Sequence, residues 1–131
     1  MDFEIPDELV YSTDDEWVLS EDDTVTVGVT DFAQQQLGDI VYVELPSVGD
    51  PIVEGETFGV IESVKAVSDL VAPVAGVVAA INEDLVDQPE IINDECYGAG
   101  WIIKVKLSNQ KELDSLLDAD SYRKLVSKRS A

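Results

Sequence analysis

Two apolar-rich extended runs, residues 57–63 and 66–72, are separated by only Val64 and Lys65. Strands that close in sequence pair only as an antiparallel hairpin, since a parallel crossover takes a dozen residues or more. Phe58, Val60, Ile61, Val67, Leu70 and Val71 give both legs apolar surface, and the lysine falls at the bend. That bend has no Asn-Gly or other glycine signal of the kind the tight primed turns favour. A turn assembled without glycine suggests that its residues are set by something other than turn propensity.

Short extended segments recur along the chain. Residues 24–30 alternate polar and apolar, and residues 39–45 put Val41, Val43 and Leu45 on one face. Further strands are expected over 77–81 and through Trp101, Ile103, Val105 and Leu107. Asp31 is expected to cap a short helix, with Gln34 three residues on and Gly38 ending it. Pro46-Ser47-Val48-Gly49 and Pro73-Val74-Ala75-Gly76 form a faint internal echo on either side of Lys65. Past residue 108 the period changes. Leu113, Leu116 and Leu117, then Tyr122, Leu125 and Val126, sit at i, i+3, i+4, and Asn109 with Glu112 offers a capping box. The expected fold is mainly β, a small antiparallel sandwich or flattened barrel. At 131 residues the chain suits one domain, with a core over about 9–107 and two amphipathic helices over about 109–129.

Charge narrows the function. The chain has 28 acidic side chains, 8 basic ones and no histidine, a formal charge of −20. Lys65 is the only cation in the first 103 residues, and the other seven bases lie between Lys104 and Arg129. Such a surface is a poor partner for phosphate backbones, which excludes nucleic acid. Lack of histidine removes the commonest general base and metal ligand, so neither a catalytic residue nor a metal site is expected. Cys96 is the sole cysteine, with no histidine to activate it, and reads as structural. No apolar run approaches a membrane span and no basic leader opens the chain, so no membrane partner and a cytoplasmic location are expected. The charge favours a monomer, and a salt-rich cytoplasm accounts for it, since molar salt shortens the Debye length to about 3 Å.

A lysine at a rigid bend has a specific use. Its amine can be acylated, and the long arm can then sweep between separate active sites at high effective concentration. A carrier of that kind needs no acid, base or metal of its own.

Glu62-Ser63-Val64-Lys65-Ala66-Val67-Ser68-Asp69 resembles the lipoyl attachment motif of the glycine cleavage system H-protein family. Asp15-Glu16-Trp17-Val18, Val27 through Ala33, Leu37 through Pro46, and Tyr97-Gly98-Ala99-Gly100-Trp101 follow the same family in order. The resemblance implies a lipoyl/biotinyl-type sandwich (a barrel-sandwich hybrid) with short helices near the N-terminal third and at the C-terminus. It also implies lipoate attached to Lys65 by a lipoate-attaching enzyme. In the family, the arm takes an aminomethyl group from a pyridoxal-phosphate-dependent glycine decarboxylase (P protein). It delivers the group to a tetrahydrofolate-dependent aminomethyltransferase (T protein), and dihydrolipoamide dehydrogenase (L protein) reoxidises it. Glu16 and Asp69 match the family positions suggested to hold the loaded arm's ammonium. Three departures stand out: Asp15 where many members have histidine, Cys96 where proline is common, and Ala99 where an acid often stands. The biotin carriers differ by flanking their lysine with methionine, where this chain has Val64 and Ala66. The lipoyl modules of 2-oxoacid dehydrogenases lack the Tyr-Gly-x-Gly-Trp block. An unmodified acidic adaptor is the rival from another class, and the mass at Lys65 separates all of these.

Overall fold

The computed structural model describes residues 3–130. Among these residues nine strands form: β1 Val10–Tyr11, β2 Glu16–Glu21, β3 Thr24–Val29, β4 Ile40–Glu44, β5 Pro51–Ile52, β6 Thr57–Ser63, β7 Val67–Val71, β8 Gly76–Ile81 and β9 Ile103–Leu107. They make a six-stranded sheet in the order β1-β2-β3-β9-β8-β5 and a three-stranded sheet in the order β4-β6-β7, antiparallel throughout. The main core lies between the sheets, where Val25, Val27, Ile61, Leu70, Val74, Val78, Ile103 and Val105 are all buried. Each such side chain stabilises the fold by roughly 1.5–3 kcal/mol relative to exposure.

A second core covers the other side of β1 and β2. The helix α4, Ala119–Ser130, brings Tyr122 and Val126 against Leu9, Tyr11, Trp17 and Phe32. Trp17 and its neighbour Val18 point to opposite faces of β2, and both are buried because both faces are covered. Gly28 lies opposite Trp17, and a Cβ there would come within 2.6 Å of the indole. Tyr11 and Tyr122 stack with ring centres 4.6 Å apart.

The helices and β4 differ from the sequence expectation. The cap of α1, Asp31–Leu37, is Thr30, whose hydroxyl accepts the Ala33 N–H, while the Asp31 carboxylate takes the side-chain amides of Gln34 and Gln35. Both residues are cap formers, and Thr30 won because β3 delivers it in the extended conformation a cap requires. A register shift between Ile40 and Tyr42 turns Val41 outward, 51% exposed, so it does not share the buried face of Val43. Residues Gln110–Ser115 form a 3-10 helix rather than an α-helix. Its capping box does not close, because Glu112 instead accepts the backbone N–H of Ala75. Leu117 bridges Tyr11 outside that helix. Two four-residue helices, α2 Asp84–Asp87 and α3 Ile91–Asp94, carried no periodic signal because each is barely one turn long.

Candidate functional site

Strands β6 and β7 pair Ile61 with Ser68 and Glu62 with Val67, leaving Ser63 and Ala66 to close the bend. The Ser63 N–H donates to the Ala66 carbonyl at 2.8 Å. The Ser63 hydroxyl oxygen accepts the N–H groups of Lys65 (3.3 Å) and Ala66 (3.1 Å). Neither Val64 nor Lys65 has positive φ. The side chain of a buried serine therefore does the work that a glycine would do in a primed turn, which explains the missing glycine signal. A further bond ties the tip to the body of the protein: the Val64 N–H donates to the Asp39 carbonyl at 3.1 Å.

Lys65 is exposed at that tip, and among the described residues no hydrogen bond or ion pair engages its amine. Val64 and Val67 are 76% and 66% exposed on either side, Ala66 is exposed, and Glu62 is half-buried opposite Val67. The lysine stem leans back toward α1, where its Cε lies 3.5 Å from the point a Cβ on Gly38 would occupy. Gly38 has φ +83° as the C-cap of α1, a conformation that side-chain-bearing residues rarely adopt.

Between α1, the turn before β2, and strands β6 and β7 lies a groove of about 170 Å³. Leu37, Ile61 and Leu70 contribute apolar surface, and Asp14, Asp15, Glu16 and Asp69 contribute acids. Glu16 and Asp69, singled out in the sequence, thus meet in one place from opposite sheets, with very different surroundings. Asp69 is exposed. Glu16 is 2% exposed; its carboxylate accepts the Val71 N–H at 2.8 Å and the Ser12 hydroxyl at 3.3 Å, joining β2 to β7. Burial holds the Glu16 carboxyl well above the usual carboxylate range, with the charges of Asp14 and Asp15 acting the same way.

Asp15, also raised by burial, sits at φ +66° and accepts the Tyr122 hydroxyl at 2.9 Å and the Arg129 guanidinium. The C-terminal helix therefore fixes the turn that presents Glu16. Asn93 was missed in the sequence as well; its side-chain amide binds Gln34, Gly38 and Ile40 around the end of α1. Both networks join residues more than fifty positions apart, which no local pattern reveals, so neither had a readable signal. Cys96 is buried, its thiol pushed up to about 12 by burial, and its carbonyl accepts the Trp17 indole N–H at 2.9 Å. Among the described residues no cluster of acids or cysteine could hold a metal ion, and no helix is long and apolar enough to cross a membrane.

The family model "Glycine cleavage H-protein" matches residues 9–129. The chain belongs to that family. It is 51% identical over 122 residues to the glycine cleavage system H protein of Carboxydothermus hydrogenoformans, covering 93% of this chain and 94% of the relative. It is 54% identical over 122 residues to the probable glycine cleavage system H protein of Natronomonas pharaonis, covering 93% and 96%. The crystal structure of the glycine cleavage system H protein from Mycobacterium marinum superposes with a TM-score of 0.85 at 36% identity, covering 97% of this chain and all of that one.

As an H protein the chain is a lipoyl carrier of the glycine cleavage system, not an enzyme, and works with the P, T and L proteins. Family members carry lipoate covalently on a lysine. The residues here fit such a group: among the described residues no partner engages the exposed Lys65 amine, and the same hairpin lines a groove whose apolar residues suit an aliphatic arm and whose acids suit a cationic cargo.

Proposed function

We propose that Lys65 is the lysine that carries lipoate, and that the protein uses it to move the aminomethyl group of glycine from the decarboxylase to the aminomethyltransferase. One observation carries this reading: the sole cation of the first 103 residues is exposed, with no bonding partner among the described residues, on a bend fastened from within by Ser63 and from outside by Asp39. When attached, lipoate supplies the disulfide that accepts the aminomethyl group together with two electrons. The protein's own part is to hold the amine in solvent, keep the bend rigid and offer a sheltered groove. Asp69, exposed in the groove, serves by binding the cargo's ammonium, where a charge-assisted hydrogen bond exceeds a neutral one in strength. Glu16, also expected there from the sequence, is buried with its carboxyl oxygens taken by Val71 and Ser12, and serves instead by holding the groove wall. A lipoate-attaching enzyme acylates the amine, for which the exposed tip leaves room.

The chain is further proposed to be one carrier domain, with its core over about 9–107, working as a monomer in a salt-rich cytoplasm. Its −20 charge and its similarity to the Natronomonas pharaonis protein support a halophilic host. Lys65→Arg tests the central claim, because arginine keeps charge and approximate length but offers no acylable amine at neutral pH. The wild type is expected to gain the mass of one lipoyl group on the peptide containing Lys65 and to support glycine–carbon dioxide exchange with the decarboxylase. The arginine variant is expected to keep its circular dichroism and do neither. Exchange activity surviving in the variant would overturn the assignment.

A further inference from the structure

The segment Gly38-Asp39-Ile40, on which the hairpin tip rests, is gripped by one side chain. Asn93 donates through Nδ2 to the Gly38 carbonyl and to Gln34 Oε1, each at 2.9 Å, and its Oδ1 accepts the Ile40 N–H at 2.9 Å. The two backbone bonds flank Asp39, whose carbonyl receives the Val64 N–H from the tip. Gly38 is also the residue beside which the Lys65 stem lies. Asn93 itself has a firm base, since its neighbour Ile92 on α3 is fully buried and Gly100 packs closely against Ile92. Gln34 is secured in turn by the Asp31 carboxylate at 2.8 Å.

We infer that Asn93 is a positioning residue for the lysine arm: through Gly38 and Ile40 it fixes the Asp39 carbonyl that anchors the tip, and so sets the direction in which the Lys65 stem leaves the protein. The side chain must be an amide. Two of its bonds need donors and the third needs an acceptor, a combination that neither a carboxylate nor an aliphatic group supplies. Ser63 holds the bend's internal shape, whereas Asn93 governs its attitude toward the rest of the molecule. An enzyme that must bring Lys65 into a narrow active site recognises that attitude, so its loss is expected to weaken recognition and leave the chemical step intact. This inference rests on the reading of Lys65 as the acylated lysine.

The test uses full-length Asn93→Ala, with Asn93→Ser as the second variant should the first not fold, and Ile92→Val as a control that loosens α3 without touching the amide. Two readouts are taken: hydrogen exchange of the Val64 amide relative to that of Ile61 in the unmodified protein, and KM and kcat for acylation by a lipoate-attaching enzyme with lipoate and ATP. Loss of the anchoring bond is expected to lower Val64 protection about tenfold relative to Ile61. KM for the carrier should rise about fivefold with kcat unchanged, as expected when orientation alone is lost. Ile92→Val should lower overall stability and leave both readouts in place. Unchanged Val64 protection, or lost protection with an unchanged KM, or the same pattern in Ile92→Val, overturns the inference. A wrong reading of Lys65 shows separately, as lipoate gained by Lys65→Arg, and the exchange measurement needs no lipoate.

Discussion

Glu16 has a buried carboxyl that accepts the N–H of Val71 in β7 and the hydroxyl of Ser12 in the turn after β1. Because burial raises its native pKa, the folded protein holds this proton more tightly than the unfolded chain does. The sign follows: its stabilising contribution is complete below the ordinary value of 4.5 and is lost as the pH rises through the higher native value. Glu16→Gln keeps an acceptor for Val71 and removes the titration. Urea denaturation at fixed molar salt should show the variant gaining on the wild type as pH rises from 4.5 to 8; a constant difference would count against a raised carboxyl. Ser63→Ala concerns the same tip from the other side. It strands the N–H groups of Lys65 and Ala66 at a bend without glycine, and is expected to cost about 1 kcal/mol in denaturant unfolding. Exchange at those two amides should rise with it, while amides of β9 stay protected.

Among the elements, α4 does the least obvious work. Its Tyr122 hydroxyl sits 2.7 Å from the Thr30 hydroxyl, which caps α1, and 2.9 Å from Asp15, the last residue of the turn before Glu16. Tyr122→Phe keeps the stack on Tyr11 and removes both bonds. A loss of about 1–2 kcal/mol is expected in denaturant unfolding. Six of the nine strands and their hairpin were legible because alternation and a two-residue gap leave few pairings open, and the attachment motif made Lys65 stand out. The other three showed no alternation to read: β1 and β5 are two residues each, and β2 is buried at Glu16, Trp17 and Val18 in succession. The bulge that exposes Val41 was not legible, since a register shift depends on the partner strand and not on the run itself. Leu116 and Leu117 have helical spacing, yet the chain straightens there because Leu117 finds a strand partner in Tyr11. Tertiary pairing overrode local period at that point. The groove was half legible: two of its acids came from the motif, while its dependence on α4 rests on contacts between residues more than a hundred positions apart.

At the scale of the whole molecule, charge is the dominant feature. Among the described residues the ion pairs are those of Arg123 with Asp7 and Asp120 and of Arg129 with Asp15, all made by α4. Most of the acids among the described residues are therefore without a cation in an ion pair. Screening relieves their mutual repulsion, so the melting midpoint should climb steadily from dilute buffer to molar potassium chloride. A midpoint indifferent to salt would refute the halophilic reading while leaving the carrier function untouched.

The bare valines beside the lysine have a consequence for how crowded a solution of these molecules can become. In dilute electrolyte, neighbours are pushed apart before Val64 of one copy meets Val67 of another. Brine removes that standoff and strengthens adhesion between oily spots. The second virial coefficient should then pass from repulsive to attractive as electrolyte is added, with Val64→Ser moving the crossover to higher concentrations. The two exposed valines would thus limit how densely the carrier can be stocked.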